Sequence, residues 1–223
     1  MMICCSSKTY SSRNPILKSY FWSRLRKMAQ VAQSTSPRVI LDIGCGKGEL
    51  LTIIADGSSK CEYVGMDLGF DLQEANRRSK LGKLQNANFV KADCTRLPFR
   101  SSSSQLVFCA SLLEHLADVL PALSELDRIL EIDGKLVVGV PTENRAYRVS
   151  RAIAGLQKPR DHFHRGSYVE TLLSRKFPHT KSTTLPFSFL PRSLSLYNVL
   201  VCCKRLDSET IHGRTFKSTV SSH

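Results

Sequence analysis

Three glycines at alternate positions, Gly44, Gly46 and Gly48, stand in "VILDIGCGKGELL", directly after a run that reads as a strand and before one that reads as a helix. Glycine admits positive φ and lets a ligand lie against the main chain with no Cβ in the way, so this turn is expected to carry a small cofactor. A dinucleotide fingerprint, G-x-G-x-x-G/A, needs a small residue where this chain has Glu49, and a carboxylate there opposes pyrophosphate. NAD or FAD is therefore the weaker expectation. A phosphate-free cofactor with a ribose, an adenine and a charged amino-acid end suits the carboxylates nearby. Asp42 ends the strand before the glycines and can orient an ammonium group, directly or through water. Asp67, 19 residues after Gly48, can accept from both ribose hydroxyls, and Asp93 in "VKADCTRLPF" can accept from the adenine amine. Each aspartate taken singly also suits a helix cap or a turn. Three at the ends of successive strands favour a ligand.

Those strand ends presuppose a particular order of elements. Short apolar runs predict strands at Arg38 to Ile43, Glu62 to Asp67, Ala87 to Lys91, Gln105 to Ala110 and Lys135 to Val140. Helical spacing falls between them, near 47 to 56, 71 to 80 and 120 to 131, with Pro121 in the first turn of the last helix and Gly134 as its exit. Such alternation predicts an α/β fold with a parallel sheet. Beyond Pro141 the pattern weakens into a basic segment, a helix from about Ser167 to Arg175, and two apolar stretches ending in "LYNVLVCCKR" that can pair as antiparallel strands at the sheet edge. Ahead of the first strand, Leu17, Phe21, Leu25, Met28 and Ala32 lie at helical spacing within residues 15 to 33, with Lys18, Arg24, Arg26 and Lys27 around the rest.

Five segments in order, "VILDIGCGKGELL", "YVGMDLG", "ANFVKADCTRLPF", "SSQLVFCASLLEHL" and "ALSELDRILEIDGKLVVGVP", resemble the class I S-adenosylmethionine (SAM) dependent methyltransferases, in particular the small-molecule group labelled type 11. The likeness covers about residues 38 to 142. It implies a Rossmann-like, doubly wound, mostly parallel sheet of seven strands with an antiparallel edge hairpin, SAM as cofactor and S-adenosylhomocysteine as product. By position it implies Asp42, Gly44, Cys45, Gly46 and Gly48 at the methionine end of the cofactor. Asp67 with Met66 and Leu68 falls to ribose and adenine, Asp93 with Cys94 to adenine, and Cys109, Ala110 and Ser111 to the methyl-donor site. Relatives commonly begin the fourth strand with Asp where this chain has Gln105, a departure expected to act only locally.

Methyl transfer from a sulfonium is an in-line displacement whose leaving group needs no proton, so positioning supplies much of the catalysis. For a hydroxyl acceptor a general base helps, and His115 in "LLEHL" is the first candidate, against the alternative of a histidine that caps or packs the next helix. A second cluster, "RDHFHRGSY", offers His162, His164 and Tyr168, with His164 the second catalytic candidate and a plain polar loop the alternative. Some relatives bind a divalent metal through E-x-x-E-H. Here Ser111 takes the first acid position, two ligands make a poor site, and no metal is expected. Arg160 and Arg165 favour an anionic acceptor; their joint replacement by alanine should weaken binding of such a substrate, and unchanged kinetics would refute that. No D/N-P-P-Y motif and no Pro-Cys nucleophile follows the fourth strand, which argues against base-amine and cytosine C5 chemistry. "PFSFLP" near residues 186 to 191 can line a lipid-like pocket or belong to the core. A small or lipophilic acceptor leads and RNA is second.

Composition bounds the rest. The chain has 223 residues and a formal charge of +13, distributed unevenly. Residues 42 to 143 carry 15 acidic and 11 basic residues, residues 1 to 41 carry 7 basic and none acidic, and residues 144 to 223 carry 14 basic and 4 acidic. The basic flanks suit either plain solubility or an anionic partner, an anionic membrane surface or RNA. No apolar run is long enough for a transmembrane span. Eight cysteines without C-x-x-C pairs read as buried thiols in a reducing, cytoplasmic setting, peripheral to a membrane if the flanks bind one; the acid-free N-terminus also resembles an organellar presequence. The division expected is a basic segment over 1–37 with its amphipathic helix, a methyltransferase domain over 38–205, with a SAM-binding core to 142 and a substrate-side region from 143, and a disordered tail over 206–223. The rival readings are an RNA methyltransferase, a non-catalytic methyltransferase-like subunit and an NAD(P) dehydrogenase.

Overall fold

The computed structural model describes residues 14–55, 61–69, 86–156, 162–186 and 191–205, with the single positions 75, 77, 79, 84 and 189. Its strands are β1 (Val39–Ile43), β2 (Glu62–Asp67), β3 (Ala87–Lys91), β4 (Ser104–Ala110), β5 (Leu130–Pro141), β6 (His179–Leu185) and β7 (Tyr197–Cys203). They form one sheet in the order β3-β2-β1-β4-β5-β7-β6. β1 through β5 pair in parallel, and β7 runs antiparallel to both β5 and β6. The expected doubly wound sheet with an antiparallel edge hairpin is thus present.

Strand alternation divides the core between the two faces of the sheet. Leu41 and Ile43 of β1 and Val107 and Cys109 of β4 face one layer, filled by Leu123 and Leu126 of α3 (Leu120–Ile129) and by Val169, Leu173 and Phe177 on and after α5 (Gly166–Lys176). Ile40, Leu106 and Phe108 point the other way, toward Leu25 and Met28 of α1 (Pro15–Gln33) and Leu51 and Ile54 of α2 (Glu49–Ala55). Strands buried on both sides are mostly apolar, which is why β1 and β4 read as near-continuous runs apart from Asp42 and the start of β4. A short helix α4 (Arg145–Ile153) follows β5.

α1 fills the expected stretch. Asn14 caps it, its side-chain oxygen accepting from the N–H groups of Ile16 and Leu17, with Pro15 in the first turn. Phe21, Leu25, Met28 and Ala32 are buried as their spacing predicts. Arg24 departs from the expected charged face: it is buried, its guanidinium lies 3.9 Å from the Tyr197 ring centroid and 4.8 Å from that of Phe21, and it donates to Ser111 Oγ at 3.2 Å. A planar, weakly hydrated cation stacked on aromatic faces can be buried where a lysine could not.

Gly134 does not end a helix, which corrects the sequence expectation. α3 stops at Ile129 and the chain enters β5 at once; Ser104 pairs with Leu130 but Leu106 with Lys135, so the residues between bulge from the ladder. Asp133 there has φ of 62°, and a Cβ on Gly134 would meet the Glu131 carbonyl oxygen at 2.8 Å. The glycine serves a bulge. β6, "HTKSTTL", is polar as an exposed edge strand should be, and of the expected apolar pair only β7 comes from an apolar stretch. The helix expected near 71 to 80 lies largely outside the described residues, and the tail over 206–223 lies outside them altogether.

Candidate functional site

The order of strands reverses at β1, flanked by β2 and β4, and open α/β sheets bind ligands at such a point beyond the C-terminal strand ends. A cavity of about 540 Å³ opens there. Gly44 contributes its floor, Met66, Asp67 and Leu68 the end of β2, Asp93 and Cys94 the segment after β3, and Ser111 and His115 the segment after β4.

All three glycines have positive φ, 78°, 55° and 76° for Gly44, Gly46 and Gly48. The N–H groups of Gly44 and Cys45 donate to the Met66 carbonyl at 2.7 and 3.0 Å, which fastens the turn to β2. Asp67 completes the fastening: its Oδ2 accepts from Gly46 N–H at 3.0 Å and its Oδ1 from Gly69 N–H at 3.0 Å. Each oxygen keeps a further lone pair for a ligand hydroxyl. A Cβ on Gly44 would meet Leu112 at 3.1 Å, so the floor stays bare for steric as well as torsional reasons.

Asp42 lies beneath this turn, 1% exposed, with one carboxylate oxygen lacking a hydrogen-bond partner. Burial, with the charges of Glu49 and Asp67 adding, pushes its pKa up to about 8. Asp93 is held as a turn: Oδ1 accepts from both the N–H and the hydroxyl of Thr95, each at 2.8 Å, and these bonds lower its pKa. Cys94 borders the cavity with a thiol raised to about 11 by burial. Of the other expected residues, Gly46, Gly48 and Cys45 shape the turn from behind, and Cys109 is fully buried in the core, its thiol pushed well up by desolvation. Ala110 ends β4 just before the wall at Ser111.

The two histidines proposed for chemistry separate. His115 sits at the end of a 3-10 turn, Leu113–His115, and borders the cavity. His164 does not border it; its Nε2 lies 3.1 Å from the Ala117 carbonyl and its ring stacks on Tyr168. His162 instead meets His115, with ring centroids 4.5 Å apart and nearly perpendicular. The Phe163 and His164 N–H groups both donate to the Glu114 carbonyl, at 2.9 and 3.3 Å, and so pin the loop to the turn. His162 Nδ1 is 2.5 Å from Glu143 Oε1. Glu114 is fully buried, neither carboxylate oxygen has a hydrogen-bond partner, and burial pushes its pKa up to about 7. The sequence expectation counts two metal ligands here; the fold brings a third alongside them. Leu112 and Leu116, the two ends of "LLEHL", and Pro121, read from the sequence only as a helix start, also border the cavity.

Known proteins resemble this chain in part of its sequence and in its fold. Residues 41–138 match the family model described as a methyltransferase domain. The malonyl-[acyl-carrier protein] O-methyltransferase of Legionella pneumophila is 33% identical over 102 residues, 46% of this chain and 36% of that protein. The demethylmenaquinone methyltransferase of Deinococcus radiodurans is 30% identical over 113 residues, 51% of this chain and 47% of its own length. The chain therefore spans about half, or less, of the curated relatives it matches. Among solved structures, the plantazolicin methyltransferase BpumL in complex with SAH superposes with a TM-score of 0.65 at 18% identity, over 90% of this chain and 89% of that one. The magnesium protoporphyrin IX methyltransferase of Synechocystis with bound SAH gives 0.62 at 16% identity, over 89% and 92%.

Proposed function

We propose that this chain, whose residues 41–138 match a methyltransferase domain, is a SAM-dependent methyltransferase that methylates a small, lipophilic acceptor bearing an anionic or oxygen-rich group. The carrying observation is the cavity at the β1 switch point, where a bare glycine floor, the Asp67 carboxylate and the turn at Asp93 meet on one side and Ser111 and His115 stand on the other. Its volume suits a cofactor with a modest acceptor. The residues present fit SAM: Asp67 has lone pairs left for hydroxyls, and Asp42 holds an oxygen without a partner under the turn where an ammonium group is expected.

SAM, when bound, supplies an electrophilic methyl group whose sulfur departs as a neutral thioether. The protein's share is then to hold the acceptor in line, exclude water and accept a proton where the acceptor has one to lose. His115, which borders the cavity, would take that proton in the absence of a metal, with His162 and its Glu143 partner packed against it. The lipophilic reading is supported by the surface beyond β5. α4 exposes Val149 and Ile153 among Arg145, Arg148 and Arg151, and Phe163 is exposed on the loop pinned to Glu114. Such a mixture suits an acceptor with an apolar body and a negative end. The names of the two relatives above point to a malonyl carrier, which bears a carboxylate, and to demethylmenaquinone, an apolar quinone.

Calorimetric titration with SAM, S-adenosylhomocysteine and NADH tests the cofactor reading. SAM and its product should bind the wild type, NADH should not, and Asp67→Ala should weaken both by about tenfold or more, since it also releases Gly46 and Gly69. Binding of NADH alone would replace the reading with a dehydrogenase, and no binding at all with a non-catalytic subunit.

A further inference from the structure

Glu114 is fully buried and takes no part in the proton transfer. Glu114 has both carboxylate oxygens inside the protein without a hydrogen-bond partner, although a buried carboxylate ordinarily gathers donors or a cation. Its neighbours are nitrogen ligands: one donor atom each from Glu114, His115 and His162 lie within 4.8 Å of one another. We propose that these three residues form a site for a divalent transition-metal cation at the acceptor end of the cavity, and that an oxygen of the acceptor fills an open coordination position. The role of the acceptor rests on the methyltransferase reading; the metal site itself does not.

Two imidazoles and one carboxylate form a borderline donor set, which suits Mn²⁺, Fe²⁺ or Zn²⁺ better than Mg²⁺, a cation that seeks oxygen alone. Three protein ligands leave positions open for substrate, as catalytic sites require. With bond lengths of about 2.1 Å, ligand atoms around such a cation stand roughly 3 to 3.5 Å apart, so modest side-chain rotations close the triad. The surroundings are already arranged. Glu143 sits on His162 Nδ1, which fixes the ring and leaves Nε2 for the cation, the usual support of a metal-bound histidine. The carbonyl of Glu114 takes two N–H donors from the histidine loop, so the third ligand is held to the first two by main chain. His115 borders the cavity, so a cation bound to it is within reach of an acceptor there. Arg24, stacked on Tyr197 and also acting on Glu114, favours the ionised carboxylate that a metal needs. An acceptor oxygen bound to such a cation would be acidified and oriented at once, so that His115, then a ligand, is no longer needed as the base; this points to a hydroxyl-bearing acceptor with a second oxygen nearby, able to chelate.

The test uses the full chain stripped of metal by a chelator. Mn²⁺ is titrated and followed by the loss of its free-ion electron paramagnetic resonance signal, and Zn²⁺ by calorimetry. The variants are Glu114→Gln, His162→Gln and, as a control of the same type on the exposed edge strand, His179→Gln. The expected result is one cation per chain, an affinity lowered about tenfold or more by either cluster variant, and no change in the control. His162→Gln, at a partly exposed position, keeps the test valid if Glu114→Gln unfolds. Equal binding by all forms, or none by the wild type, overturns the site and leaves the Glu143–His162 pair as a neighbour packed against the base His115. SAM is titrated in parallel without metal. Metal binding without SAM binding would uphold the site and remove the methyltransferase role, whereas SAM binding without metal binding would do the reverse.

Discussion

Gly139→Ala should destabilise the protein by about 1–3 kcal/mol, and a drop of roughly 2–4 °C in melting temperature per kcal/mol is expected for a chain of this size. Gly139 lies in the middle of β5, between Ala110 of β4 and Val199 of β7. A Cβ at that position would stand 2.3 Å from Tyr197 Oη and 2.8 Å from Met28 Sδ. Neither neighbour can withdraw cheaply: both side chains are fully buried, and the Tyr197 ring is covered by the Arg24 guanidinium. The tyrosine hydroxyl is also 2.9 Å from Ser111 Oγ, at the wall of the cavity. Displacing the ring therefore moves Ser111 and Arg24 as well, so the cofactor affinity should fall along with the stability. Tyr197→Phe in the same chain removes the nearest clashing atom. A double-mutant cycle by denaturant unfolding should show Gly139→Ala costing less in the Phe background, and strict additivity would refute the clash.

That glycine also marks the limit of what the sequence discloses. β1, β4 and the second half of β5 announce themselves because central strands covered on both faces are mostly apolar, and the glycine turn because no other residue type tolerates three positive φ values in five positions. Asp67 is legible for the same local reason, since its place follows from the length of one strand-helix-strand unit. Contacts between remote segments left no such mark. Arg24 looks like a surface cation in its own helix, and only the arrival of Tyr197 from β7 makes burial favourable. Gly134 looks like a helix terminus because a bulge and a C-cap ask the same backbone freedom of glycine. His162 reads as half of a polar H-x-H pair, and nothing within nine residues of it tells that Glu114, His115 and Glu143 would surround it. Periodicity reports what an element needs of its own residues, whereas a site is assembled by loops whose spacing is free.

Asp42→Asn should make the metal-free, cofactor-free protein more stable at pH 8 and leave it nearly unchanged near pH 4. The wild-type carboxyl is raised to about 8, by desolvation first and then by Glu49 and Asp67. A raised pKa means that the folded state binds the proton more tightly than the unfolded chain, whose value is 3.8. The contribution to stability is thus full below the unfolded value and is lost progressively as pH rises through about 8. Each unit of difference corresponds to about 1.4 kcal/mol, so over this window the loss is on the order of a few kcal/mol after the interior relaxes. Asparagine, which cannot ionise, escapes the loss. The same linkage bears on function. If the ammonium end of SAM engages Asp42, it engages the carboxylate, and the proton held by the free protein must leave on binding. Affinity for SAM should then climb between pH 5.5 and 7.5, by at most about tenfold per unit, and calorimetry in buffers of different ionisation enthalpy should register proton release. The asparagine variant should bind more weakly and lose both the climb and the proton. A wild type whose SAM affinity is flat across that range would place the ammonium group elsewhere and leave Asp42 a neutral, structural acid under the glycine turn.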